Sequence, residues 1–281
     1  MKVSLIISVY KDVSSLRTIL DGLKFQRYKD FQIVVSEDGE SEEMRTFLQS
    51  YSHENPIVHS TQPDVGWRKN QALNRAIRNS DGDYLIIIDG DCVLHHLFVE
   101  SHLRFAARKQ VMAGKRVKLG QTFTAMFKER INELPALEKK VEKALWSFRK
   151  DGGEFYEEAF YFDPGGPLSF VTKLRGIERL KGCNMSFFRE DIEAVNGFDE
   201  DYIMPAIGED IDLTWRFKGL GYKIVSLRNV AIQYHLYHPE NYLRNAAFSQ
   251  DDKFVNIAML NRKIRSREYV CRNGLRKIMN G

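Results

Sequence analysis

Short, continuous apolar runs open the chain. Residues 3–9 (VSLIISV), 31–36 (FQIVVS) and 84–88 (YLIII) are rich in β-branched side chains. Runs of this length predict strands buried on both faces, as in a parallel sheet. Leu16, Ile19, Leu20 and Leu23 recur at helical spacing, and residues 42–51 and 67–79 predict two more helices around a short strand at 57–58. Strands alternating with helices predict a doubly wound α/β unit.

Past Asp91 the rhythm changes. Residues 94–109 and 134–149 have helical patterns, the second with Pro135 in its first turn. Residues 151–182 carry DGGEF and FDPGGP and predict a long loop, expected to be mobile and to face the acceptor. A helix–strand unit is expected over 209–234, its strand covering 223–232. The last 40 residues read as polar helix. The expected organisation is a domain over 1–239, in halves 1–92 and 93–239, then a basic helical tail over 240–281.

Composition narrows the class. With 43% hydrophobic and 28% charged residues the chain is globular, and no apolar run approaches the roughly 20 residues of a spanning helix. The start, MKVSLIISVY, lacks a small-residue cleavage site and does not read as a signal peptide. Cys92, Cys183 and Cys271 stand far apart, without metal-ligand spacing, which suits a reduced cytoplasmic chain. Net charge is +4, but residues 261–281 alone carry +6, so the body is slightly acidic and is no nucleic-acid binder. The basic end predicts either a solvated helix face or peripheral contact with an anionic membrane surface.

Five groups of residues carry candidate chemistry. Asp89-Gly90-Asp91 directly follows the YLIII strand. Ligands bind beyond the carboxyl ends of such strands, and two carboxylates there can hold a divalent cation that bridges phosphates. Gly90 is expected to let the backbone approach the ligand. Asp38, in Ser36-Glu37-Asp38-Gly39, lies at the same sheet edge and can accept a hydrogen bond from a base or ribose. Gly66-Trp67-Arg68-Lys69-Asn70 enters a helix, whose N-terminus suits a pyrophosphate. Glu209, Asp210 and Asp212 start a later helix, where acids also serve as caps. His235 and His238 come after a strand and are candidates for a ligand or proton-transfer role.

Taken in this order, these residues resemble the inverting glycosyltransferases of family 2 with the GT-A fold. The resemblance rests on Ser8-Val9-Tyr10, Ser36-Glu37-Asp38-Gly39, Asp89-Gly90-Asp91, Gly182-Cys183-Asn184-Met185-Ser186, Gly197-Phe198-Asp199-Glu200, Gly208-Glu209-Asp210 and His235. It covers residues 3–239. The second half looks like that of galactosyltransferase and chondroitin-polymerase-like members.

The resemblance implies transfer of a sugar from a nucleotide sugar, expected to be a UDP-sugar, to a hydroxyl of a glycan or lipid-linked acceptor, with Mn²⁺ or Mg²⁺ as cofactor. The setting it implies is bacterial lipopolysaccharide or other surface polysaccharide assembly. Tyr10 would lie beside the base and Asp38 would bind its imide. Lys69 stands where the family often has Arg near the diphosphate. Asp89 would contact ribose and metal, Asp91 would be the main metal ligand, and His235 would complete the metal shell, with His238 as its rival. Asn184 would line the donor-sugar pocket. Asp210 would be the catalytic base, and Glu209 would bind acceptor hydroxyls. Glu37 departs from the family, which often has a second Asp there.

Two other classes compete. A haloacid-dehalogenase-type phosphatase also uses Asp-x-Asp-x-Val, which DGDCV matches, but after its first strand; here about three strand–helix units precede it. A catalytically dead nucleotide-sugar-binding protein would not need Asp210. A nicotinamide dehydrogenase fails for want of Gly-x-Gly-x-x-Gly after the first strand.

Overall fold

A computed structural model of the chain describes residues 1–205, 208–239 and 250–278. The first half runs β1 (Val3–Val9), α1 (Val13–Leu23), β2 (Gln32–Glu37), α2 (Glu42–Ser50), β3 (Ile57–Thr61), α3 (Lys69–Asn79) and β4 (Tyr84–Asp89). The second continues through β5 (Cys92–Leu94), α4 (Phe98–Phe105), β6 (Gln110–Ala113), β7 (Val117–Lys118), α5 (Gln121–Arg130), α6 (Leu134–Lys143), α7 (Leu145–Lys150) and α8 (Ser169–Leu174). It ends with β8 (Asn184–Phe188), α9 (Arg189–Ala194), α10 (Asp210–Gly219), β9 (Lys223–Ser226), β10 (Gln233–His235) and α11 (Gln250–Ser266).

Seven strands form one sheet in the order β3-β2-β1-β4-β8-β6-β9. Only β8 runs against its neighbours, so the sheet is parallel apart from one strand. Its central strands are apolar on both sides because each side meets its own core. Leu5, Ile7, Ile33, Val35, Ile86 and Ile88 enter one cluster, and Ile6, Val34, Leu85 and Ile87 the other. Helix starts coincide with their caps: the Asp12 carboxylate accepts the Ser15 N–H, and Ser41 Oγ accepts the Met44 N–H.

Several elements depart from local expectation, each through a long-range contact. Residues 92–94 are strand rather than helix start, because β5 pairs antiparallel with β10, which pairs parallel with β7 in a second, three-stranded sheet. The expected strand 223–232 is interrupted. Asn229 is left-handed (φ 63°), and its side chain donates to the carbonyls of Glu157 and Phe160. The chain thereby leaves the large sheet after β9 and enters the small one at β10. The helix expected over 134–149 breaks at Ala144 (φ −108°, ψ 29°).

The basic end is not one helical tail. After α11 the chain folds back over residues 195–201. The Leu275 N–H donates to the Asn196 carbonyl, and Asn196 Nδ2 donates to the carbonyls of Cys271 and Arg276. Lys277 pairs with Glu200 at 2.6 Å, and buried Lys263 meets Asp199. Two charges expected on a solvated or membrane-facing surface are therefore used internally. Residues 240–249 and 279–281 of the expected tail lie outside the described residues. Among the described residues no helix is long and apolar enough to cross a membrane.

Two buried polar networks fix the second half. Behind β8, Tyr84 donates to Ser186 Oγ (2.6 Å), Ser186 meets His102 Nδ1 (2.7 Å), and His102 Nε2 meets Asn184 Oδ1 (3.1 Å). Every member is satisfied if His102 is neutral and protonated on Nε2. Burial holds His102 neutral, its pKa lowered to about 3, and lowers His95 to about 3 as well. In α10, Asp212 and Arg216 are fully buried and paired at 2.7 Å, and Tyr202 donates to Asp212. Asp212 thus points into the core rather than into solvent.

Each network sets an expected stability effect. Asp212→Asn leaves a buried guanidinium uncompensated and should lower the unfolding free energy by about 3 kcal/mol in urea denaturation; a change under 1 kcal/mol would contradict the pairing. For His102, the unfolded chain binds the proton that the folded chain refuses. Stability should thus fall as pH drops from about 6.5 toward 3, by up to about 1.4 kcal/mol per unit for this group. His102→Gln should lessen that slope by a similar amount in denaturation curves collected between about pH 7 and 5.

Candidate active site

The carboxyl ends of β1, β2 and β4 meet along one edge of the large sheet. Tyr10 comes directly after β1, with its ring over Gly39 and its hydroxyl donating to Asp64 at 3.2 Å. Asp38, 7% exposed, accepts from the Arg68 N–H (2.8 Å) and from Gln62 Nε2 (2.8 Å). It thereby pins the 62–68 loop to β2. Burial raises its pKa, against these two hydrogen bonds. A carboxylate has lone pairs left over after two such bonds.

Lys69 opens α3 and reaches across the edge. Its Nζ lies 2.8 Å from Asp89 Oδ1 and 2.8 Å from Glu209 Oε1. Burial alone would depress the ammonium, but the two carboxylates outweigh it and hold Lys69 well above its ordinary range. Glu209 is raised by burial, with Lys69 opposing. Gly182 makes room for this carboxylate, since a Cβ there would stand 2.7 Å from Glu209 Oε1. Gly90 also serves packing: a Cβ would meet Val9 Cγ1 at 2.6 Å and the Ser8 carbonyl at 2.8 Å. The close approach is to β1.

Asp91 stands apart from Asp89. Its Oδ2 lies 3.1 Å from His235 Nε2 and 3.1 Å from His238 Nε2, and Cys92 Sγ donates to Oδ1 at 3.2 Å. The register of the small sheet brings this about, with His235 opposite Cys92 on β5 and Lys118 on β7. Burial works against ionisation of Asp91, but the bonds to the two histidines prevail and hold its pKa below the usual carboxylate range. The bond to Asp91 raises His238. The ligand atoms of Asp91, His235 and His238 lie within 4.8 Å of one another, and all three residues retain some exposure. One carboxylate and two imidazoles suit a transition ion such as Mn²⁺ better than Mg²⁺, which takes oxygen ligands.

Three of the expected assignments meet partners that the sequence does not indicate. Asp89 is outside the triad, because Lys69 holds one oxygen and Arg116 approaches the other at 3.8 Å. His235 and His238 are not alternatives, since both converge on one oxygen of Asp91. Asn184 is turned away from solvent. It is fully buried, with Nδ2 donating to the carbonyls of Lys115 and Ala231 and Oδ1 facing His102. It supports the site from behind β8.

Beside Asp89 opens a cleft of ≈ 440 Å³. Glu209 and Asp210, at the start of α10, line it together with Arg116, Lys115, Lys118, Lys181 and Phe155. Sequence reasoning does not single out Arg116, Lys181 or Phe155. The available signal is the alternation Lys115-Arg116-Val117-Lys118, with Val117 buried in β7 and its basic neighbours turned to the cleft. Phe155 sits in the left-handed region (φ 58°), which costs a residue of this kind about 1–2 kcal/mol.

Comparisons with known proteins agree with this arrangement. The glycosyl transferase family 2 model matches residues 4–167, and the model for the N-terminal domain of galactosyltransferase matches residues 170–239. The uncharacterized glycosyltransferase YfnE of Bacillus subtilis (strain 168) is 27% identical over 288 residues, covering 92% of this chain and 70% of that protein. Among solved structures, the Pyrobaculum calidifontis mannosyltransferase PcManGT in complex with GDP-Man and Mn²⁺ superposes with a TM-score of 0.57 at 15% identity. That match covers 94% of this chain and 64% of the other. S. aureus TarS 1–349 in complex with UDP-GlcNAc gives 0.60 at 13% identity, covering 94% of this chain and 66% of that one. The chain thus spans about two thirds of the solved structures that share its fold. The sheet order, the acids at its carboxyl edge and the extent of the family match together make this chain a member of glycosyl transferase family 2, an enzyme of GT-A fold.

Proposed function

We propose that the chain is a metal-dependent inverting transferase that moves a hexosyl group from a UDP-sugar to a hydroxyl of a glycan or lipid-linked glycan. The observation that carries this reading is the cleft itself: Asp210 and Glu209 open onto the space beside Asp89 and Arg116. Tyr10 and Asp38 receive the uracil, and Asp89 the ribose. Arg116, a guanidinium that stays cationic despite its partial burial, faces the diphosphate. Asp91, His235 and His238 hold Mn²⁺, which when bound neutralises charge on the leaving diphosphate.

On the acceptor side Asp210 takes the hydroxyl proton as that oxygen attacks the anomeric carbon. The start of α10 favours a carboxylate there. Glu209, held by Lys69, orients the acceptor hydroxyls. Two neighbours bear on the donor and the ion through their own complexes, PcManGT with GDP-Man and Mn²⁺ and TarS with UDP-GlcNAc. The proposed setting is surface polysaccharide or lipopolysaccharide assembly at the cytoplasmic face of a bacterial membrane. Its support is α11, which exposes Phe254, Val255 and Ile257 on the helix that carries Arg262 and Arg265.

Thermal shift should show stabilisation by UDP with Mn²⁺ and little by GDP or by either component alone; preference for GDP would replace the donor. Asp91→Asn should abolish the metal-dependent part, and undiminished turnover in EDTA would remove the metal from the mechanism. Asp210→Asn should lower transfer at least roughly 100-fold, the lower end for general-base catalysis. UDP affinity should be retained, and loss of UDP binding instead would make Asp210 a donor residue. Sedimentation with anionic vesicles should weaken with added salt and with Phe254→Ser; sedimentation insensitive to both would leave α11 without a membrane role.

A further inference from the structure

The cleft holds more positive charge than its own carboxylates use. Lys69 is engaged by Asp89 and Glu209, and Arg116 faces Asp89. Lys118 pairs with the exposed Glu154 at 3.2 Å. Among the described residues neither Lys115 nor Lys181 pairs with a carboxylate.

Between Lys115 and Lys118 stands Phe155. Its ring centroid is 5.9 Å from Lys115 Nζ and 5.7 Å from Lys118 Nζ. A two-way backbone bridge between Lys118 and Glu154, 3.0 Å in each direction, fixes the chain there. Phe155 then turns into the left-handed region, unusual for a bulky residue and characteristic of functional positions. Packing does not account for this conformation, since Phe155 is 42% exposed and stacks on no other ring among the described residues. A partly exposed ring with both ammonium groups over it matches a pyranose that carries a negative charge: the apolar C–H face takes the place of the ammonium groups on the ring, and the cations meet the substituent.

We infer that the acceptor sugar is anionic, bearing a carboxylate or a phosphate, and that Phe155 stacks its ring while Lys115, Lys118 and Lys181 pair its charge. This rests on the transferase reading and names the acceptor class of the same site.

The test uses the full chain with UDP and Mn²⁺ and three probes: methyl β-glucuronide, glucose 6-phosphate and methyl β-glucoside, with binding monitored by NMR. The anionic probes should bind about tenfold more tightly than the neutral one, the scale of a charge-assisted contact. Tighter binding of the glucuronide points to a uronate and tighter binding of the phosphate to a phosphorylated sugar. Joint Lys115→Gln and Lys181→Gln substitution should remove the preference while UDP affinity holds within about twofold. Phe155→Gly suits the left-handed backbone, so the melting temperature should not fall, yet all three probes should weaken. Equal or undetectable binding of the probes by protein that binds UDP overturns the inference. So does a loss of UDP affinity in the lysine variant, which would assign those charges to the donor. Protein that binds neither UDP nor GDP with Mn²⁺ would overturn the transferase reading instead.

Discussion

The ammonium of Lys69 is the contact on which the site depends. Asp89 comes from the end of β4 and Glu209 from the start of α10, 120 residues later in the chain. Two half-buried carboxylates facing each other would repel, and one of them would tend to take up a proton. A single cation 2.8 Å from each lets both stay close. The end of β4 and the start of α10 are thereby joined at a charge beside the cleft. Asn70 extends the joint by donating to the carbonyls of Asp199 and Gly208, just ahead of Glu209.

Much of the first half was legible in the sequence. β1 matches its predicted bounds, and β2, α2 and β4 differ by a residue or so, because continuous apolar runs have no use except between two cores. The acidic residues at the strand ends were legible for the same reason, as polar groups at the close of a buried run. Partners were not. Nothing local says that β10 lies opposite Cys92, so the meeting of His235 and His238 on Asp91 could not be read, nor could the capture of Asp89 by Lys69. Asn184 holds β8 to α4 through His102, a role that a polar residue in a family motif can fill as well as touching a ligand.

Charge behaves similarly. The basic cluster at the end of the chain counts as one patch in composition, but folding divides it between internal pairs, as at Lys263 and Lys277, and exposed side chains such as Arg262 and Arg265. In the cleft the reverse holds. Lys115, Arg116 and Lys118 stand together in the sequence, but Lys181 joins them only in the fold, where residues around β7 and just before β8 line one cleft.

The return of residues 267–278 onto 195–201 bears on where the catalytic unit can be cut. The sequence alone puts a boundary at 239. Removing residues 240–281 would strip Lys263 from Asp199 and Lys277 from Glu200, exposing a buried carboxylate in the loop that Asn70 and Asn74 anchor to α3. That loop leads directly into Glu209 and Asp210. The end of the chain therefore acts as a buttress for the segment ahead of Glu209 and Asp210, and a version shortened at 239 would forfeit that support along with its tail.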